Sequence, residues 1–225
     1  MKVFISRICD ENSIFRKILT EKGIALCDES LIDFRPLDFQ VPDDYDWLFF
    51  YSKRGVSFFF QANPKLSSKV KIGSIGKGTA KAVLHYFGKE PDFIGDGIPE
   101  NCSADFKKIA AGQRVIFIRA EESKKSIQNL LKDDLTVMEL IAYKNVPKIY
   151  FAKTDADILV FTSSLNAETY LKKYPAEKNQ ILAAIGKPSA ETIETLGYKD
   201  VFCSDSPDET ALANLVLKIF ENNKP

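Results

Sequence analysis

The chain has 225 residues, of which 45% are hydrophobic and 12% aromatic, enough to bury the core of one large domain or two small ones. Lys plus Arg and Asp plus Glu both number 31, so no charge excess points to a nucleic-acid partner or a membrane surface. The four cysteines (Cys9, Cys27, Cys102 and Cys203) form no C-x-x-C pair and His85 is the one histidine, which argues against a Cys/His metal site.

No apolar run approaches the ~20 residues that cross a bilayer. The opening MKVFISRICDEN turns charged too soon for the apolar core of a signal peptide, so a cytoplasmic protein is expected.

In chain order, a short apolar strand is expected at 3–6, with Arg7 directly after it. Ser13 can cap a helix to about Lys22, with Gly23 where a C-terminal cap belongs. Strands at 24–27 and 31–34 follow, and Pro36, Pro42 and Asp43-Asp44 mark a crossing between domains. A strand at 47–51, a Ser52-Lys53-Arg54 turn and a helix at 56–62 come next. Then come a strand at 71–75, a glycine turn at 76–79, a helix at 80–87 that holds His85 on its surface, Gly88, and a strand at 92–94. A loop at 96–101 precedes a helix at 104–111 with Ser103 as its cap, and a strand at 115–118 ends on Arg119. Ser123 is expected to start a helix to about Leu131. Residues 136–143 alternate as a strand ending on Tyr143, and 144–153, with Pro147, cross back. The last stretch reads strand 158–161, turn Thr162-Ser163-Ser164, helix 166–174, strand 180–185, turn Gly186-Lys187-Pro188-Ser189, helix 190–196, Gly197, strand 200–203 and a closing helix at 208–222.

The order of elements repeats. Ser52 stands 111 residues before Ser163, Gly76 stands 110 before Gly186, and Gly88 stands 109 before Gly197. Val3 also stands 112 residues before Val115, so the N-terminal strand echoes the one that follows the first copy. Strands alternating with helices of about ten residues imply parallel sheets with right-handed crossovers. The expected fold is therefore α/β: two small three-layer parallel-sheet domains of flavodoxin-like kind. Domain A is expected to comprise 1–35 plus 150–225, and domain B 38–147. Two crossings would join them as a two-stranded linker, with a cleft between them where open α/β sheets bind ligands.

Polar residues gather just past the strand ends: Ser6 and Arg7; Ser52, Lys53 and Arg54; Gly76, Lys77 and Thr79; Arg119; Thr162, Ser163 and Ser164; Gly186, Lys187 and Ser189. Several of these open helices, whose free N–H groups and partial positive charge receive anions. Taken singly, Ser and Thr at helix starts are commonly caps. Taken together, on two facing domains, they suit a ligand with several carboxylates or phosphates. Gly73-Ser74-Ile75-Gly76-Lys77-Gly78 has G-x-x-G-x-G spacing rather than the G-x-G-x-x-G of dinucleotide folds, so nucleotide binding is the lesser reading. Tyr143 falls at the crossing back to domain A, where a phenol can donate a proton to a leaving hydroxyl or simply pack at a linker.

These residues resemble the uroporphyrinogen-III synthase family. The likeness is carried by Phe50-Tyr51-Ser52 with Gly55-Val56, Ile75-Gly76 with Thr79-Ala80, Phe161-Thr162-Ser163, and Ile185-Gly186 with Ser189-Ala190. Ser6-Arg7, Ala142-Tyr143 with Asn145, and Asp205-Ser206-Pro207 with Leu212 extend it over essentially the whole chain. Two departures are the Gly-Lys-Pro-Ser turn, where Thr is usual in place of Ser, and the more basic Lys53-Arg54. The resemblance implies two α/β domains on a two-stranded linker. It also implies a lyase of tetrapyrrole and haem biosynthesis that closes the linear octacarboxylate hydroxymethylbilane into uroporphyrinogen III. Ring D is turned over through a spiro intermediate, and no cofactor or metal takes part. On this reading Tyr143 assists departure of the hydroxyl, while Ser6, Arg7, Ser52, Lys53, Gly76, Thr79, Arg119, Thr162, Ser163, Ser164, Gly186 and Ser189 hold the carboxylates. The partner is a small molecule, with no nucleic acid or membrane, and the protein is expected to be a monomer. The alternative is a two-lobed module that binds a small anion or nucleotide without this activity.

Overall fold

A computed structural model describes residues 1–67 and 69–223. The chain forms, in order, β1 (Lys2–Ile5), α1 (Ile14–Glu21), β2 (Ala25–Asp28), β3 (Ile32–Pro36), β4 (Trp47–Phe50), α2 (Lys53–Gln61), β5 (Lys71–Ser74), α3 (Lys77–Phe87), β6 (Phe93–Ile94) and α4 (Pro99–Ala110). It continues with β7 (Arg114–Ala120), α5 (Ser126–Leu131), β8 (Thr136–Pro147), β9 (Ile158–Phe161), α6 (Ser164–Lys173), β10 (Ile181–Ala184), α7 (Lys187–Thr195), β11 (Val201–Cys203) and α8 (Glu209–Asn222). Two compact units result: Met1–Asp33 with the chain from Val146 onward, and Phe34–Asn145.

The first unit holds a five-stranded parallel sheet in the order β11-β10-β9-β1-β2. The second holds a six-stranded sheet in the order β3-β8-β7-β4-β5-β6, parallel from β8 through β6. The central strands β4 (WLFF) and β9 (ILVF) are buried at every position, as strands covered on both faces must be. Alternation along each strand then feeds two cores. Val3, Ile5, Ile158 and Val160 meet Phe15 and Leu19 of α1 and Leu212 and Val216 of α8. Phe4, Leu159 and Phe161 meet Ala167, Tyr170 and Leu171 of α6 and Ile193 of α7. In the other sheet Leu48, Phe50, Ile116 and Ile118 meet Val56 and Phe59 of α2 and Val83 of α3. Trp47, Phe49, Val115 and Phe117 meet Phe106 of α4 and Ile127 and Leu131 of α5.

Several element ends differ from the sequence reading. Helix α4 begins at Pro99, with Ile98 as its cap, and takes in the end of the expected 96–101 loop. Pro at the first helical position needs no N–H partner there. Ser103 is therefore inside the helix and donates to the Pro99 and Glu100 carbonyls at 2.7 and 3.0 Å instead of capping. Helix α5 begins at Ser126 rather than Ser123, after Lys125 in a left-handed conformation at φ 54°. Strand β8 runs past Tyr143 to Pro147.

A charged cluster ties β7, β8 and α5 together. Glu139 of β8 accepts from Arg119 Nε (3.1 Å) and Nη2 (2.5 Å) through one oxygen, and from Lys125 Nζ (2.9 Å) and Gln128 Nε2 (3.1 Å) through the other. Gln128 N donates to the Tyr51 hydroxyl at 3.1 Å, and burial raises the pKa of that phenol. Burial alone would raise the Glu139 pKa, but Lys125 and Arg119 outweigh it and hold the carboxyl below its usual value.

Two stability outcomes follow from this packing. A β-carbon on Gly95 would stand 2.5 Å from Cys102 Sγ and 2.5 Å from the Ile75 carbonyl oxygen, neither of which has slack. Gly95→Ala should therefore cost about 1–3 kcal/mol or more in urea unfolding, and an unchanged midpoint would contradict the packing. Because the Glu139 pKa is lowered on folding, its contribution is present above the unfolded value of about 4.3 and fades as pH falls below it. Glu139→Gln should destabilise at pH 7 by about 1–3 kcal/mol, toward the low end because the carboxylate is partly open to water. The gap from wild type should close in unfolding at pH 3, and a gap that stays constant would exclude the linkage.

Candidate functional site

Each unit repeats one local construction. A buried strand ends, the chain makes an extended residue, and a helix starts with its N-terminus at the strand's carboxyl end. Ser52 (φ −157°) and Ser163 (φ −163°) cap α2 and α6, and their hydroxyls accept from the N–H three residues on, Gly55 at 3.0 Å and Asn166 at 3.2 Å. Gly76 and Gly186 cap α3 and α7 with no side-chain bond. Thr79 and Ser189 follow three residues later, each bonding its own N–H back to the glycine carbonyl, at 3.0 and 3.1 Å. Both residues are buried.

In these four helices no acidic side chain occupies the first turn. Lys53, Arg54, Lys77 and Lys187 stand in three of those turns and are all exposed. A cation there opposes the helix dipole, so stability alone disfavours this placement. An anion bound at the turn would reverse the sign. The Lys53 stem lies across the first turn of α3, where a β-carbon on Gly78 would come within 3.1 Å of Lys53 Cε. Arg54 sits over the Phe34 ring at 3.6 Å.

In the first unit, Ser6 is fully buried and its hydroxyl accepts from Thr162 N at 2.9 Å, while Thr162 Oγ1 donates to the Ser6 carbonyl at 3.3 Å. This locks the ends of β1 and β9 together. Ser164, read from sequence as part of the turn, is the first helical residue of α6, and its hydroxyl donates to the Pro188 carbonyl at 2.9 Å. That bond joins the openings of α6 and α7. Arg7 donates to Glu209 at 2.5 Å, and its Nε is the one buried side-chain nitrogen or oxygen without a partner among the described residues. Burial would raise the Glu209 pKa, yet the Phe15 N–H, the Ser13 hydroxyl and Arg7 together lower it.

Arg119 differs from its sequence assignment. It is a buried residue inside β7, with Nε and Nη2 on Glu139 and Nη1 on the Ala120 and Glu121 carbonyls, so it is engaged in the fold rather than offered at a strand end. Lys53 and Arg54, read as turn residues, belong to the first turn of α2.

Tyr143 is brought to the site by a fault in the sheet. The β7–β8 register runs Arg119 to Ile141 and then Ala120 to Tyr143, so one extra residue enters β8 at Ala142. Leu140 and Ala142 already face the α2 side, and without the bulge Tyr143 would face the other. With it, Tyr143 joins the same core, stacks on Phe58 (5.1 Å, 21°), meets the edge of Phe34, and places its hydroxyl 3.2 Å from Ser52 Oγ. Sequence reasoning missed Phe58, Glu139 and Glu209. No local pattern marks them, because their partners lie far along the chain.

His85 is exposed in the last turn of α3, against Tyr86. Among the described residues no group of three or more His, Cys, Asp or Glu could hold a metal ion, and no helix is long and apolar enough to cross a membrane.

Comparison with known proteins bears on this arrangement. Residues 14–214 match the family model described as Uroporphyrinogen-III synthase HemD. A protein of Methanocaldococcus jannaschii named "Putative uroporphyrinogen-III synthase" is 30% identical over 223 residues, covering 88% of this chain and 91% of that one. The crystal structure of uroporphyrinogen-III synthetase from Helicobacter pylori 26695 superposes with a TM-score of 0.66 at 18% identity, over 97% of this chain and 99% of that one, a likeness of fold. With a family match across most of its length, the chain belongs to the uroporphyrinogen-III synthase family.

Proposed function

We propose that this protein cyclises hydroxymethylbilane to uroporphyrinogen III with inversion of ring D. The observation that carries this reading is the set of four strand-to-helix turns without a first-turn acid, three of them with added cations. Such turns suit a flexible substrate rich in carboxylates. The N–H groups that open α2, α3, α6 and α7, the hydroxyls of Thr79 and Ser189, and Lys53, Arg54, Lys77 and Lys187 receive those carboxylates. Ser6, Thr162, Ser163 and Ser164 hold the turns in shape, and Arg7 supplies a further cation held by Glu209. Arg119 is left out of the set because it is buried and four of its five N–H donors are already used.

The chemistry asks little of the protein beyond one acid and a restraint on geometry. Tyr143 gives its proton to the terminal hydroxyl, which leaves as water and turns the methylene carbon into an azafulvenium cation. The substituted carbon of ring D attacks that cation and forms the spiro intermediate. The bond from ring D to its original bridge then breaks, and the free α-carbon of ring D attacks the bridge carbon. Loss of the α-carbon proton restores the pyrrole and balances the proton given at the start. Holding the chain so that one carbon reaches the cation is catalysis by orientation.

A monomer is the working form in this reading. Both faces of each sheet are already covered by helices of the same unit, which leaves no sheet face requiring a second copy.

The test is a coupled assay in which hydroxymethylbilane is generated in situ and the oxidised porphyrin isomers are separated. A dominant isomer III is expected. Isomer I alone, the product of unassisted closure, would overturn the reading in favour of a binding module. Tyr143→Phe keeps the stack on Phe58 and should lower the rate on the order of 10²-fold while costing about 1 kcal/mol of stability. Unchanged turnover in that variant would remove Tyr143 from the mechanism.

A further inference from the structure

The two capped turns that open α2 and α6 are near copies in backbone, and one chemical difference separates them. In the α6 turn, Ser163 Oγ accepts from both Asn166 N (3.2 Å) and Asn166 Nδ2 (2.9 Å), and Asn166 Oδ1 accepts from Leu31 N at 3.3 Å. Leu31 and Asn166 are buried, and the turn is closed on itself. In the α2 turn, Ser52 Oγ accepts from Gly55 N at 3.0 Å and has Tyr143 Oη as its other neighbour at 3.2 Å. Gly55 stands 111 residues before Asn166, and Tyr143 stands 112 after Leu31.

The glycine is what makes the exchange possible. A β-carbon at position 55 would already lie 3.4 Å from Ser52 Oγ and 3.6 Å from the Ile118 carbonyl oxygen, so an Asn-sized side chain would compete with the phenol for Ser52. Gly55 is an ordinary helical residue of α2, so its backbone does not call for glycine. The space does.

We infer that Ser52 is a positioning residue for Tyr143, rather than a substrate contact, and that it orients the phenol's proton away from the protein and toward the ligand. This rests on the reading of Tyr143 as the acid of the proposed cyclisation. Ser52 Oγ takes the Gly55 N–H, so its own proton is free to be given, and the phenol oxygen is the acceptor within reach. The stack on Phe58 and the edge of Phe34 restrain the ring itself. When Tyr143 releases its proton to the leaving hydroxyl, the phenolate oxygen retains the Ser52 O–H. Through Ser52 it also feels the positive end of α2. The proton shed by ring D at the last step restores the phenol, so the cycle needs no further reactant.

The test combines kinetics with NMR. Ser52→Ala should lower the rate of isomer III formation about tenfold, about 1.4 kcal/mol of barrier, and Ser52→Thr, which keeps the hydroxyl, should restore it toward wild type. In a Tyr143→Phe background Ser52→Ala should have no further effect on rate, although loss of the helix cap should lower the melting temperature in both backgrounds. A further tenfold loss in the Phe background would overturn the inference, because Ser52 would then act without Tyr143. In protein labelled with 13C at the tyrosine ζ-carbon, the Tyr143 resonance should shift in Ser52→Ala and return in Ser52→Thr. An unmoved resonance would also overturn it. The NMR arm needs no turnover, so it decides the role of Ser52 even if the protein makes only isomer I and the functional reading falls.

Discussion

Burial of both faces of each parallel sheet is the constraint on which the rest of the structure depends. Strands such as Trp47–Phe50 and Ile158–Phe161 carry no polar side chain along their length, because helices cover them above and below. Polar chemistry is thereby driven to the strand ends. There the chain leaves the sheet and starts a helix, and the first N–H groups of that helix have no partner within it. The fold thus produces helix openings with unpaired N–H groups as a by-product of its connectivity, and it does so in both units because the half-chain pattern is duplicated.

Three of those turns carry residues that stability alone would not choose. A helix opening prefers Asp or Glu in its first turn, yet α2, α3 and α7 open on Lys53, Arg54, Lys77 and Lys187. Helices α4 and α8 follow the rule, opening with Glu100 and Glu209, while α1 and α5 have no acid of their own in the first turn. Glu209 even extends its carboxylate to the first turn of α1, where it accepts from Phe15 N and Ser13. The exposed cations at the openings of α2, α3 and α7 set those helices apart from α4 and α8.

The duplicated units have also diverged in a readable way. Where one unit closes its serine cap with Asn166, the other empties the same place with Gly55 and fills it with a phenol carried in by a bulge in β8. A bulge costs ladder pairing, and here it brings Tyr143 onto the α2 side of the sheet, among the aromatic rings of Phe34 and Phe58. The cluster of Arg119, Glu139, Lys125 and Gln128 lies on the opposite side of β8, with Glu139 three residues before the inserted Ala142. Its charge pairing anchors the strand where its register changes.

The sequence by itself determined the α/β class, the order of most elements and the family, since all three rest on local signals. Apolar runs of four residues, serine or glycine at helix starts, and glycine after helix ends are short-range patterns, and their repetition at nearly constant spacing reinforces them. Ser52, Gly76, Ser163 and Gly186 were legible as turn residues for the same reason. Tertiary structure decided what depends on partners far along the chain. Arg119 reads like a strand-end cation until Glu139, twenty residues on, takes its guanidinium. Tyr143 reads like the end of a strand until a one-residue slip against β7 turns it to face Ser52, 91 residues earlier. Local propensity carries no information about register or about which distant side chain completes a charge, because both are fixed only when the sheets close and bury the groups that must then be paired.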